Sequence, residues 1–263
     1  MQQRWGDAVS IVAVSVVGVV GFGWPFVIDA PTSGMAHQGD AVWLFAALLP
    51  VLLAVVAVDV FRGRADSRTV AVVGVLAGVG ALLRLPGGVA GIEPVFFLLV
   101  LSGHVLGARI GFVLGAVTLF ASALLTAGVG PWLPFQMVAA GWIAAGAALI
   151  PRFARSSMER LALSAYGLAA GYLYGLVINL WFWPFVVGSD TSVSYQPGAS
   201  AWSNLGRFWA FHVSTSLGFD TVRALTTAAL VWGAGASVLS SLRRATRRVV
   251  VTATDNESLA AAR

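Results

Sequence analysis

Apolar runs broken by charged, glycine and proline residues predict eight helices along the chain, at 8–28, 41–60, 69–84, 94–107, 110–127, 134–150, 161–187 and 205–240. A bilayer crossing takes about 20 predominantly apolar residues. The run at 94–107 is short for that, which predicts a tilted helix shielded by its neighbours or one lengthened by the Gly-rich stretch before it. The run at 205–240 is overlong, so its outer part is expected to be an interfacial or broken helix. The pattern is that of an all-α polytopic membrane protein. Residues 1–66 hold an N-terminal helix pair, 67–245 a six-helix core and 246–263 a tail expected to be disordered.

Composition supports the same class. Hydrophobic residues make up 58% of the 263 and charged residues 10%, where soluble domains carry roughly 45 to 50% and about 25%. An ordinary soluble enzyme is excluded. With no cysteine, disulfides, thiol catalysis, iron–sulfur clusters and Cys-type zinc sites are excluded as well. The first apolar stretch is long enough to span and lacks a clear small-residue cleavage site, so it reads as a retained first helix rather than a signal peptide.

Charge placement sets the expected orientation. All 16 basic residues are Arg, and 13 of them fall on one side if the helices alternate: Arg4; Arg62, Arg64 and Arg68; Arg109; Arg152, Arg155 and Arg160; then Arg243, Arg244, Arg247, Arg248 and Arg263. The other side carries Asp29, Asp40, Glu93 and Asp190, with Arg84 and Arg207 at its margins. Cytoplasmic loops carry the Arg excess, so both termini are expected in the cytoplasm of a multi-pass plasma-membrane protein. The basic tail then needs no nucleic-acid partner. Seven tryptophans, Trp24, Trp43, Trp132, Trp181, Trp183, Trp202 and Trp209, fall toward the outer face. An aromatic belt would populate both interfaces, whereas rings concentrated on one side suit a pocket for a flat organic ligand.

No His-Glu-x-x-His pair, Gly-x-Ser-x-Gly elbow or Walker loop is present, and the acidic residues are scattered singly. No catalytic, metal or cofactor site is predicted. Asp220 and Arg223 lie three apart on the last run, share a helix face, and read as a structural ion pair or as a ligand-coupling pair. His104 reads as hydrogen-bonded inside the bundle. In RTVAVVGVLAGVGALLRLP the pairs Gly74 and Gly78, and Ala77 and Ala81, are each four apart, a small-residue stripe suited to close helix approach, within the bundle or to a partner. The outer connections RLPGGVAGIEP and AGVGPWLPFQM place Gly- and Pro-rich backbone beside Arg84, Glu93, Trp132 and Gln136. Asn179, Trp181 and Trp183 close the seventh run and Tyr195 follows in a polar loop. Together these eight residues describe a small-molecule site or, on the plainer reading, interfacial caps.

Over roughly residues 68–245 the chain resembles the substrate-specific S component of energy-coupling factor transporters, the vitamin-uptake relatives of ABC importers. The resemblance is carried by RTVAVVGVLAGVGALLRLP, GIEPVFFLLVLSGHVLGARIGFVLGAVTLFASALL, GVGPWLPFQMVAAGWIAAGAALIPR, YGLVINLWFWPF and STSLGFDTVRAL, and looks like the actinobacterial branch. It implies a six-helix core that binds a vitamin-type compound near the extracellular side. It also implies docking of a transmembrane T subunit at Ala77 and Ala81, and through it two ATPases. Cobalamin or another corrinoid is the first substrate it suggests, with riboflavin, thiamin or a queuosine-like base as alternatives. Two competing classes stand beside it: an intramembrane lipid or isoprenoid enzyme in which Glu93, His104 and Asp220 converge, and a secondary transporter running alone on an ion gradient.

Overall fold

The computed structural model describes residues 15–16, 18–23, 26, 67–85, 90–186 and 191–261. From residue 67 onward the described backbone forms α1 (Ser67–Leu83), α2 (Val95–Leu106), α3 (Ala108–Leu125), α4 (Leu133–Ala147), α5 (Ser156–Val186), α6 (Ala201–Thr215) and α7 (Leu217–Ala261). The apolar stretches within α3, α5 and α7 are long enough to cross a bilayer, and α1, α2 and α4 hold shorter apolar helices. The predicted run at 205–240 is two helices. In the run Ser214-Thr215-Ser216, the hydroxyls of Ser214 and Thr215 donate to the carbonyls of Ala210 and Phe211 at 2.7 and 2.8 Å, and such back-bonding competes with the helical ladder. The residues read as a tail from 246 continue α7 to Ala261.

Neighbouring helices return on one another, α3 against α4, α5 against α7, α1 against α3 and α2 against α4. Residues 84–85 and 90–94 and the connection at 126–132, together with α6, therefore share one end of the bundle, the upper end. The turns at 106–108 and 148–155 share the lower end. Gly107, with φ +89°, makes the lower turn between α2 and α3 in a backbone region that glycine enters without strain. The main core lies between α2, α3 and α4, where Leu99, Leu101, Leu114, Leu119, Leu133 and Met137 are fully buried. A smaller core under the 191–200 loop packs Trp183, Tyr195, Phe208 and Phe211.

Glycine sets the helix spacing. On α5, Gly167, Gly171 and Gly175 recur every four residues and meet Thr227, Ala224 and Asp220 of α7; a Cβ on Gly171 would come within 2.6 Å of the Ala224 Cα. On the other flank, a Cβ on Gly103 of α2 or Gly115 of α3 would strike the carbonyl oxygens of Ala144 and Ala140 on α4. Without a hydrophobic drive between helices in lipid, this close backbone packing is a main source of association.

The stripe on α1 divides. Ala77 and Ala81 are buried against the chain's own core, whereas a side chain added at Gly74 or Gly78 would meet nothing within 4 Å. Of the four residues expected to face a partner, Ala77 and Ala81 form the buried edge of the stripe and Gly74 and Gly78 its open edge. Of the N-terminal pair, Ser15, Gly18 and Phe22 lie against α4, with Ser15 Oγ accepting from Trp142 Nε1 at 2.8 Å and Phe22 edge-on to Phe135 at 5.2 Å. The second predicted run, 41–60, lies outside the described residues.

Gly171→Leu is expected to force α5 and α7 apart and lower stability by about 1–3 kcal/mol or more, as overpacking does. A fall in the melting temperature of the detergent-solubilised chain checks it, and an unchanged melt refutes the close-packing account.

Candidate functional site

At the upper end a cavity of about 280 Å³ opens between the 84–94 connection and the junction of α3 with α4. Arg84, Leu85 and Glu93 line it from one side, and Trp132 and Gln136 from the other. Ser122, Thr126 and Gly128 complete the wall. Arg84 donates from its guanidinium to Gln136 Oε1 at 2.9 Å, tying the loop to α4. Trp132 stands half-exposed at the rim, with its Nε1 donating to Gly128 O at 3.1 Å. Gly130 lies beneath that ring, where a Cβ would come within 2.4 Å of it. Gly91, at φ +85°, lets the 84–94 connection approach the Phe219 carbonyl at the start of α7, where a side chain would collide.

Behind the cavity runs a buried chain of charges. Arg223 of α7 pairs with Glu93 and with Asp220, and its guanidinium lies 5.2 Å over the Tyr174 ring and 5.8 Å over that of Phe96. Asp220 packs against Gly175 of α5, and its Oδ2 lies 3.7 Å from His212 Nε2. Asn179 of α5 donates to His212 Nδ1 at 2.8 Å, which leaves the imidazole proton on Nε2, facing the Asp220 carboxylate. One network thus joins the 84–94 loop, α5, α6 and α7.

The eight expected binding residues fall into three groups. Arg84, Glu93, Trp132 and Gln136 converge on the cavity. Asn179 is engaged by His212, and Trp181 stacks on Phe135 with centroids 5.0 Å apart. Trp183 is fully buried, donates to Val193 O at 2.7 Å and meets Tyr195 edge-on at 5.4 Å, so these two fill the smaller core rather than the cavity. Sequence reasoning missed Ser122 and Thr126, which read as ordinary positions of an apolar helix. It also missed His212, whose partners lie 8 and 33 residues away. The Asp220 and Arg223 pair has Glu93 as a third member, 130 residues distant.

The lower end holds a second set. Buried His104 Nε2 lies 2.9 Å from Glu159 Oε1, and Arg243 donates to the same oxygen at 2.6 Å, joining α2, α5 and α7. Glu93 and Asp220 stand at one end and His104 at the other, so the three do not meet as the enzyme alternative requires. Arg223 and Arg243 are 20 residues apart on α7, about 30 Å along the helix at 1.5 Å per residue, close to the thickness of a bilayer's hydrocarbon core, roughly 30 Å.

In comparisons with known proteins, the model of the family described as ECF transporter, substrate-specific component matches residues 68–241. No curated protein and no solved structure matches.

Arg223→Gln is expected to strand Glu93 and Asp220 inside the bundle, at a cost of about 3–5 kcal/mol typical of breaking a buried pair. The triple variant Glu93→Gln, Asp220→Asn, Arg223→Gln is expected to recover much of that loss. Melting temperature and monodisperse yield in detergent report both, and a single variant as stable as the native chain contradicts the role given to Arg223.

Proposed function

The chain belongs to the family of ECF transporter substrate-specific components, and from that premise we propose that it captures a vitamin or cofactor precursor at the upper end for ATP-driven import. It is a membrane-embedded transporter subunit, not an enzyme, and the family works with an ECF T subunit and ATPase subunits. The observation that carries the capture reading is the convergence of Arg84, Glu93, Trp132 and Gln136, from two separate connections, on one polar cavity. A polar, aromatic-rimmed recess in an otherwise apolar bundle is where a hydrophilic solute is recognised.

Orientation follows from the positive-inside rule. Arg109, Arg152, Arg155, Arg243 and Arg244 gather at the lower end, so that end faces the cytoplasm of the plasma membrane, with both termini, and the cavity faces outward. Release of the solute inward then requires the bundle to reorient, which a subunit without a nucleotide loop cannot power by itself. The T subunit and its two ATPases supply that step. Docking is assigned to the exposed part of α1, where Gly74 and Gly78 leave a smooth groove between Val70, Val75, Val79 and Leu82, all exposed.

Gly74→Leu with Gly78→Leu is expected to leave the melting temperature of the isolated chain unchanged and to abolish co-purification with the T subunit. Retention of the complex moves the docking face off α1. Reconstituted uptake is expected to require ATP and the partner subunits. Uptake by the chain alone on a sodium or proton gradient overturns the proposal in favour of secondary transport.

A further inference from the structure

The lining of the upper cavity also speaks to what it takes. Hydrogen-bond donors predominate. Arg84 brings a guanidinium that forms no salt bridge among the described residues and is held only by Gln136. Because Gln136 Oε1 accepts from Arg84, its amide nitrogen is left free to act as a donor. Ser122 Oγ, fully buried in the cavity wall, has no partner among the described residues, an arrangement that costs stability unless something polar occupies the site. Glu93 offers the counterpoint: it shares the Arg223 guanidinium with Asp220, one cation between two carboxylates, so it keeps the capacity to accept from a ligand N–H or O–H. The cavity therefore presents one guanidinium without a salt bridge among the described residues, two neutral donors and one carboxylate acceptor.

Size narrows the class further. Sites for drug-sized ligands run from about 300 to 1,000 Å³, and this cavity measures about 280 Å³. A single ring or short chain fits the recess whole, whereas a corrinoid macrocycle would have to extend out of its mouth.

We infer that the ligand is a compact carboxylate carrying an N–H or O–H donor, its carboxylate held by Arg84, Gln136 and Ser122 and its donor directed to Glu93; this rests on the capture reading above. The planar fork of a guanidinium matches a carboxylate with two parallel hydrogen bonds. Trp132 supplies a flat apolar wall at the mouth.

The test uses the full chain in detergent and equilibrium binding of four acids, nicotinate, 4-aminobenzoate, pantothenate and biotin, each against its own amide. Thiamin, riboflavin and cyanocobalamin represent a cation, a larger planar ring and a macrocycle. At least one acid is expected to bind, with its amide at least ten-fold weaker. Arg84→Gln is expected to weaken that acid at least ten-fold, Arg84→Lys to recover part of the loss and Ser122→Ala to weaken it several-fold, with melting temperatures of the unliganded Arg84 variants unchanged and that of unliganded Ser122→Ala no lower than the native chain's. Equal binding of acid and amide, indifference to Arg84→Gln, preference for thiamin, riboflavin or cyanocobalamin, or binding of none of the acids overturns the inference. Co-purification with the T subunit is scored in parallel. A chain that assembles but prefers cyanocobalamin loses only this ligand class, whereas one that neither assembles nor binds any compound loses the capture reading itself.

Discussion

A guanidinium buried among apolar helices must be neutralised, and much of the upper end is arranged around meeting that demand for Arg223. Its two carboxylates come from different places, Asp220 from one turn earlier on α7 and Glu93 from the loop after α1. Because an unpaired charge in the membrane is so costly, Glu93 is held beside Arg223 at the cavity wall. His212 and Asn179 extend the constraint to α6 and α5. The cavity-lining residues are thus fixed by a network that itself lies mostly behind the cavity.

The lower set of His104, Glu159 and Arg243 repeats the device at the opposite end, again with an arginine of α7. Between the two, α7 supplies about one bilayer thickness of helix. There the contact with α5 depends on small residues, Gly167, Gly171 and Gly175 against Thr227, Ala224 and Asp220. Charge fixes the two ends and close backbone packing fixes the middle, so the bundle is suited to move as one body.

The smooth groove on α1 and the polar cavity answer two different recognition problems. A partner helix in lipid is recognised by shape, since both surfaces are apolar. A hydrophilic solute is recognised by donors and acceptors that would be costly to leave unsatisfied. The two surfaces lie on separate faces, so under the proposed function a change in the cavity lining leaves the α1 groove untouched.

Much of the fold was legible along the chain. A membrane helix has to satisfy its own backbone hydrogen bonds and present apolar side chains, so its position is written locally in runs such as 110–127 and 134–150, whose ends differ from those of α3 and α4 by one to three residues. The Arg asymmetry likewise marks the two ends without any tertiary information. Arg84, Glu93, Trp132 and Gln136 could be picked out because polar and aromatic residues in Gly- and Pro-rich connections stand out against an apolar background. What the chain could not disclose is which residues meet across it. Trp183 and Tyr195 have the same chemistry as Trp132, yet the return of α6 buries them in a core of their own. Ala77 and Gly78 are adjacent, yet one packs inward and the other faces out. The link from Glu93 to Arg223 spans 130 residues, and the unpartnered hydroxyl of Ser122 becomes meaningful only where α3, α4 and the 84–94 loop enclose it. Local pattern determined the helices and their ends, because each helix satisfies its own backbone. Tertiary packing alone decided the site, because polar groups are satisfied by whichever neighbours the fold brings within hydrogen-bonding distance.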